Sequence, residues 1–480
     1  MAQDATLKRK SIVSTLSLFF QSGYSAVLGF AANVVLTIYL SPEIFGIYIT
    51  VLSIIAFLNY FSDIGLAASL IQRNDISDED VSTAFTIQQG IIVSLIIIGF
   101  LLTDPILRFY ELGFDGRILY WALLASFFIS SLKTIPSVFL ERSVRFHKIV
   151  LVQVIENTCF YVVVAVLAIK GFGLLSFAYG VLIRAVIGLV VMYSISFWMP
   201  RVGISRKSAK HLLSYGVPFQ SMSFLALFKD ELVNLFLGKI VGFQVLGYIG
   251  WAKRWAESML RIIMDNISRV VFPIFSRIQH DHEKQRNVIQ KIIRYQSMIL
   301  IPASLGMIVL MPLIVDILPK YEKWRPALPI FYIFVFSGLL SSYSTPFINF
   351  FNGIGKVKIS LTFMLAWTVL TWLLIIPLTR MFGMYGFPLT VLMLSLSCVI
   401  VILKARSLIP FDFLGSMLRY VVSGAVMAVM LFLVKAGTLH MGVVSAVIMI
   451  VVGAVSYYAA LLLIFKENLI TELYNEFKSS

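Results

Sequence analysis

The sequence predicts an all-α integral membrane protein of about fourteen transmembrane helices, built as two parallel-repeat six-helix lobes plus two C-terminal helices. Three observations predict it. The 480 residues are 59% hydrophobic and only 13% charged, with a mean hydropathy of +0.92, a composition foreign to soluble domains. Apolar runs of about eighteen residues or more recur along the whole chain, each long enough to cross a hydrocarbon core of about 30 Å as a helix. A β-barrel would instead show short alternating strands. Finally, Tyr39-Leu-Ser-Pro-Glu-Ile-Phe-Gly-Ile-Tyr48 resembles Ile240-Val-Gly-Phe-Gln-Val-Leu-Gly-Tyr248, and Pro105-Ile-Leu resembles Pro312-Leu-Ile, each about two hundred residues apart. Six helices separate the copies, so both have one orientation in the membrane, as in transporters built from parallel repeats around a central site.

The first span, about 11–40, follows Lys8-Arg9-Lys10 with no small-residue cleavage site after it, and reads as a retained helix. Spans two to six follow at about 44–71, 82–109, 118–141, 148–170 and 173–198. They hold isolated charges at Asp63, Lys133, Glu156 and Arg184. Pro136 follows Lys133 and frees a backbone carbonyl at its level. Lys133 and Arg184 are candidate cavity cations, whereas Glu156 reads as a structural acid.

Spans seven and eight, about 208–237 and 244–276, form a hairpin around Gly238-Lys239-Ile240-Val241-Gly242. It carries Lys229, Asp230 and Glu231, then Lys253, Arg254, Glu257, Arg261, Asp265 and Arg269. From Arg254 onward the charges step by three or four and share one drifting helix face. That face avoids lipid, because a charge at mid-bilayer costs at least about 2.5 kcal/mol. Asp230 and Arg254 reach nearly equal depth and are expected to pair.

Polar residues at 277–291 read as a solvated amphipathic loop before spans nine to twelve, at about 287–318, 326–352, 357–380 and 384–405. Spans thirteen and fourteen, about 412–435 and 441–465, carry charge only near their ends, at Asp412, Arg419 and Lys435, and are expected at the periphery. The domain expectation is an N-lobe at 1–200, a C-lobe at 201–407, and two peripheral helices with a cytoplasmic tail at 408–480. Basic loops, including Arg142, Arg145 and Lys148, then Arg201, Arg206, Lys207 and Lys210, place both termini in the cytoplasm. The net charge of +15 therefore reflects orientation and gives no reason to expect nucleic acid. Cys159 and Cys398 read as small hydrophobes, and no metal-ligand cluster, HExxH or phosphate-cradling Gly-rich loop suggests an enzyme.

Phe61-Ser-Asp-Ile-Gly-Leu-Ala-Ala-Ser-Leu-Ile-Gln-Arg73, Ser82-Thr-Ala-Phe85, Leu140-Glu-Arg-Ser-Val-Arg-Phe-His-Lys148, Tyr215-Gly-Val-Pro218 and the stretch from Leu246-Gly-Tyr248 to Phe272-Pro273 together resemble the polysaccharide transporter (Wzx-like) oligosaccharide flippases. These belong to the multidrug, oligosaccharidyl-lipid and polysaccharide exporter superfamily. The resemblance spans about residues 10–405 in order. It implies lobes in a V shape, alternating access and export of an undecaprenyl-pyrophosphate-linked glycan across the bacterial or archaeal cytoplasmic membrane. A polysaccharide polymerase, assembly proteins and membrane lipids are the implied partners.

The residues suit that substrate. Lys133, Arg184, Lys229, Lys253, Arg254, Arg261 and Arg269 supply cations for phosphate, and guanidinium forks fit phosphate oxygens. Asp63, Asp230, Glu257 and Asp265 are the candidates for charge pairing or ion coupling; no cofactor is expected beyond H+ or Na+ as a coupling ion. Two relatives compete with this reading. A multidrug or organic-cation antiporter should have an acid in its first helix, and a lipid II flippase arginines there, but 11–40 contains no charge.

Overall fold

The computed structural model describes residues 2–467 apart from 63, 74, 222–223 and 439–441. Its described side chains exclude 2–12, 15, 19, 219, 221, 224–230, 259, 261–263, 265–270, 436 and 438. Among the described residues the fold is all-helical. Contacts divide the chain into two compact units, 1–247 and 248–480.

The first unit contains α1 (Ala2–Tyr39), α2 (Pro42–Ser62), α3 (Leu66–Gln72), α4 (Asp78–Leu101), α5 (Thr103–Tyr110), α6 (Phe114–Ser131), α7 (Thr134–Arg142), α8 (Phe146–Ile169), α9 (Leu175–Ile195), α10 (Arg206–Ser221) and α11 (Phe224–Ile240). α12 (Phe243–Arg277) begins at its end and leads into α13 (His282–Ile317), α14 (Leu328–Ser342), α15 (Ser344–Gly353), α16 (Val357–Phe382), α17 (Gly386–Ser395), α18 (Cys398–Arg406), α19 (Phe413–Thr438) and α20 (Val443–Phe465). Most expected spans appear as one long helix or as two successive helices. The second, for example, is α2 continued by α3.

Among the described residues, ten segments are long and apolar enough to cross a membrane, or eleven if the bent pair α6 and α7 counts as one. The single segment Val357–Arg406 contains both expected spans eleven and twelve. The charged hairpin, α10 to α12, is not among these segments: α10 and α11 stop on either side of 222–223, which lie outside the described residues, and α12 is too heavily charged. Large apolar side chains such as Val190, Phe432 and Leu463 stand exposed on the helices, 59%, 59% and 75% accessible. In water such a surface is untenable, and in a bilayer it is the solvent-facing side. The chain is a multi-pass membrane protein.

One expectation needs correction. The polar stretch 277–291 is mostly not a loop: α12 runs to Arg277 and α13 starts at His282. Asp281 explains the restart, since its carboxylate accepts the backbone N–H of Lys284 at 3.0 Å and caps the new helix. That bond, with the Lys284 side chain, holds the Asp281 carboxyl below its usual range.

The core of the first unit forms where aromatic rings fill the space between helices. Tyr48 on α2 stacks on Phe177 on α9, with ring centroids 3.9 Å apart. Close approach also selects glycine at two equivalent places. A Cβ on Gly46 would collide with the backbone of Phe243, and one on Gly247 with the backbone of Pro42. Pro42 and Gly46 stand in the first copy of the repeated turn where Phe243 and Gly247 stand in the second, so the two helix starts pack reciprocally.

Candidate functional site

Pro136 decides where the fourth span breaks. Its ring has no N–H, so the carbonyl of Leu132 loses its helical donor. The phenol of Tyr193, on α9, donates to that carbonyl at 3.1 Å instead. The helix axis bends by 41° between α6 and α7, and Lys133 occupies the break as the residue before α7. Ser196 hydroxyl fixes the far side of the break by donating to the Pro136 carbonyl at 3.2 Å.

At that break the Lys133 ammonium donates to the carboxylate of Glu156 on α8. Glu156 is buried, 3% exposed, and packs into a notch on α9 that exists because residue 188 is glycine. A Cβ at Gly188 would meet the carboxylate oxygen. A carboxylate in such a place needs a cation, because the cost of stripping its water is several kcal/mol. Lys133 supplies it.

Arg184 lies one turn before Gly188 and meets a different environment. Its guanidinium sits over the Phe160 ring, 5.8 Å from the centroid. The side chain is exposed, and among the described residues it forms no ion pair. Lys133, Glu156 and Arg184 line two adjoining hollows of about 510 and 530 Å³, which also share Ser130 and Thr134. Asn59, Ser62 and Gln88 extend the polar wall of the first hollow, and Gln21, Gln153 and Asn157 that of the second. Gln88 donates to Thr134 at 3.3 Å, and Gln21 donates to Gln153 across α1 and α8.

The structure thus brings together two of the expected cavity cations and joins to them an acid that the sequence suggests is only structural. Glu156 is structural in pairing Lys133, yet it also lines both hollows. Lys253, Arg254 and Glu257 fall in the second unit and do not line either hollow. There Lys253 approaches Glu257 at 3.8 Å and lies over the Phe387 ring at 5.7 Å, while Arg254 is exposed. Asp63 lies outside the described residues, as do the side chains of Lys229, Asp230, Arg261, Asp265 and Arg269, and with them the expected Asp230–Arg254 pair. The amides are the residues that charge-hunting misses. Gln153, Glu156 and Asn157 fall three and four apart on one face of an otherwise apolar helix, a spacing that marks a polar stripe. Among the described residues no cluster of His, Cys, Asp and Glu could hold a metal ion.

Comparison with known proteins places this hollow in context. The profile of a family described as polysaccharide biosynthesis protein matches residues 35–329, a range that contains Lys133, Glu156 and Arg184. The chain is 26% identical over 344 residues to the lipopolysaccharide biosynthesis protein WzxC of Escherichia coli, covering 70% of this chain and 68% of that protein. It is 24% identical over 335 residues to the succinoglycan biosynthesis transport protein ExoT of Rhizobium meliloti, covering 68% and 66%. Each match spans about two thirds of the relative's length. Among solved structures, the lipid II flippase MurJ in an inward closed conformation aligns with a TM-score of 0.73 at 16% identity, covering 95% of this chain and 99% of that one. A Vibrio cholerae MATE transporter, VcmN, aligns at 0.51 and 11% identity, covering 85% and 98%. At these identities the likeness is one of fold.

Proposed function

Since the chain belongs to the polysaccharide biosynthesis protein family, we propose that it is a flippase, not an enzyme, that translocates an undecaprenyl-pyrophosphate-linked oligosaccharide across the cytoplasmic membrane by alternating access. The product would feed surface polysaccharide synthesis of the O-antigen or exopolysaccharide type. The observation that carries this reading is an exposed Arg184, without an ion pair among the described residues, beside the Lys133–Glu156 pair in a hollow walled by amides and hydroxyls. Guanidinium forks match phosphate oxygens, amides and hydroxyls match sugar hydroxyls, and the polyprenyl tail can stay in lipid. The likeness to WzxC, a lipopolysaccharide biosynthesis protein, and ExoT, a succinoglycan biosynthesis transport protein, supports a glycan cargo.

In this proposal repeat lobes at 1–200 and 201–407 rock around the substrate, with 408–480 peripheral. Both termini face the cytoplasm, H+ or Na+ drives the cycle, and a polymerase and assembly proteins take the cargo onward. The test is complementation of a flippase-deficient strain. Restored surface polysaccharide, with loss of the lipid-linked oligosaccharide that accumulates in the mutant, is the expected outcome. An unchanged precursor pool with altered drug sensitivity would replace the proposal with the antiporter reading, and restored peptidoglycan precursor transport alone would replace it with the lipid II reading.

A further inference from the structure

Glu156 is the buried charged group that binding of an anionic cargo does not itself require. It is 3% exposed, seated against Gly188, and lines both hollows together with its ion-pair partner Lys133 and with Arg184. Resting on the reading that the hollow receives a pyrophosphate group, we infer that Glu156 is a built-in competitor for the anion on Lys133. An arriving pyrophosphate takes Lys133 together with Arg184, and the carboxylate it displaces takes up one proton.

The exchange balances. The hydrogen bond from the Lys133 ammonium to Glu156 breaks, one from the same ammonium to a phosphate oxygen forms, and a proton from the bulk solvent passes to the carboxylate. With Glu156 in place, the charge of Lys133 is balanced, and among the described residues the hollow offers one unpaired cation, Arg184. A singly charged anion meets Arg184 alone and cannot offset the breaking of a buried pair, whereas a pyrophosphate diester, with two charges, can engage both cations. Masking therefore gives selectivity by penalising the wrong ligand.

Proton uptake follows from what surrounds Glu156. Lys133 faces it from the break between α6 and α7, and Glu141 on α7, which accepts from Ser137 at 3.1 Å, lines the second hollow. From α9 come Arg184 and Tyr193, the latter engaged with the Leu132 carbonyl. Among the described residues of α1 the nearby polar groups are Gln21 and Tyr24, whose hydroxyl bonds Thr158 at 2.8 Å; Tyr48 on α2 lines the first hollow. Once the anion holds Lys133 and Arg184, no cation in this set is left for the carboxylate. A buried carboxylate without a partner neutralises rather than stays charged.

The experiment measures binding of a short-chain prenyl-pyrophosphate-linked monosaccharide to the purified full-length protein in nanodiscs. Such a diester lacks the phosphomonoester proton that titrates near about pH 6, so its own charge stays fixed. Wild-type affinity should rise as pH falls, by up to about tenfold per unit, because the bound state holds one more proton. Glu156→Gln should bind roughly tenfold tighter at neutral pH and show a flat pH profile. A flat profile in the wild type, or Glu156→Gln binding no tighter than wild type, overturns the inference. Calorimetry of the wild type in buffers of different ionisation enthalpy gives a second reading that needs no variant: uptake of one proton supports the inference, and uptake of none overturns it. Failure of the folded wild type to bind the probe at all would overturn the phosphate reading itself, and this inference with it.

Discussion

The face of Phe160 holds the Arg184 guanidinium, 5.8 Å from the ring centroid, without pairing it to a carboxylate. Its planar fork, rather than charge alone, is what suits phosphate. Arg184→Ala should therefore leave expression and folding intact while reducing surface polysaccharide in the complemented strain at least about tenfold. Arg184→Lys should recover only part of that, because a point charge replaces a bidentate donor. Equal export by both variants and wild type would exclude Arg184 from cargo binding. Gly188 poses the opposite test, since the Glu156 carboxylate occupies the space a methyl group would need. Gly188→Ala should lower stability by about 1–3 kcal/mol, the usual cost of overpacking, read as a drop in the thermal midpoint of the purified protein. Combining it with Glu156→Asp, one methylene shorter, should restore part of the loss. The charges at 133, 156 and 184 are legible in the sequence because lipid makes every intramembrane charge conspicuous. Which of them pair is not legible, because pairing depends on a notch made by a glycine on another helix.

The break between α6 and α7 is partly written in the chain, since Pro136 announces a freed carbonyl near Lys133. The acceptor's rescue by Tyr193 comes from a helix more than fifty residues away and has no local signal. Tyr193→Phe should strand the Leu132 carbonyl and cost about 1–3 kcal/mol. Pro136→Ala returns a backbone N–H to that carbonyl, so in its background Tyr193→Phe should cost little. A double-mutant cycle by thermal unfolding measures the coupling, and additive effects would show that Tyr193 does not serve this break. Helix existence is the most legible feature throughout, because hydrophobic length alone requires it. The restart at α13 is less so: a capping aspartate turns polar sequence into helix, and composition points to a loop.

At the scale of the whole chain, sidedness can be argued from which loops touch. Counting spans from a cytoplasmic N-terminus puts Glu111 and Lys239 on the outer side, and they meet at 3.1 Å. The same count puts Arg142, Arg73, Asp78 and Arg201 inside. Arg142 donates to the carbonyls of Leu70 and Arg73, Arg73 pairs with Asp80 at 2.8 Å, and Arg201 approaches Asp78 at 3.4 Å. Arg73 and Asp80 belong to one connection, but the other contacts join separate loops that the topology assigns to one side, which the period of the spans predicts and a single misplaced helix would violate. Which side is the cytoplasm rests on the basic loops, since Lys and Arg resist translocation. Lys239 and Lys284 are both exposed, so each can be replaced by a reporter: Lys239→Cys and Lys284→Cys, in a background carrying Cys159→Ala and Cys398→Ala. In intact cells an impermeant thiol reagent should label Lys239→Cys, and should reach Lys284→Cys only after permeabilisation. Labelling of the second alone would invert the topology and leave the loop contacts standing, whereas equal external labelling of both would mean that an odd number of crossings does not separate them.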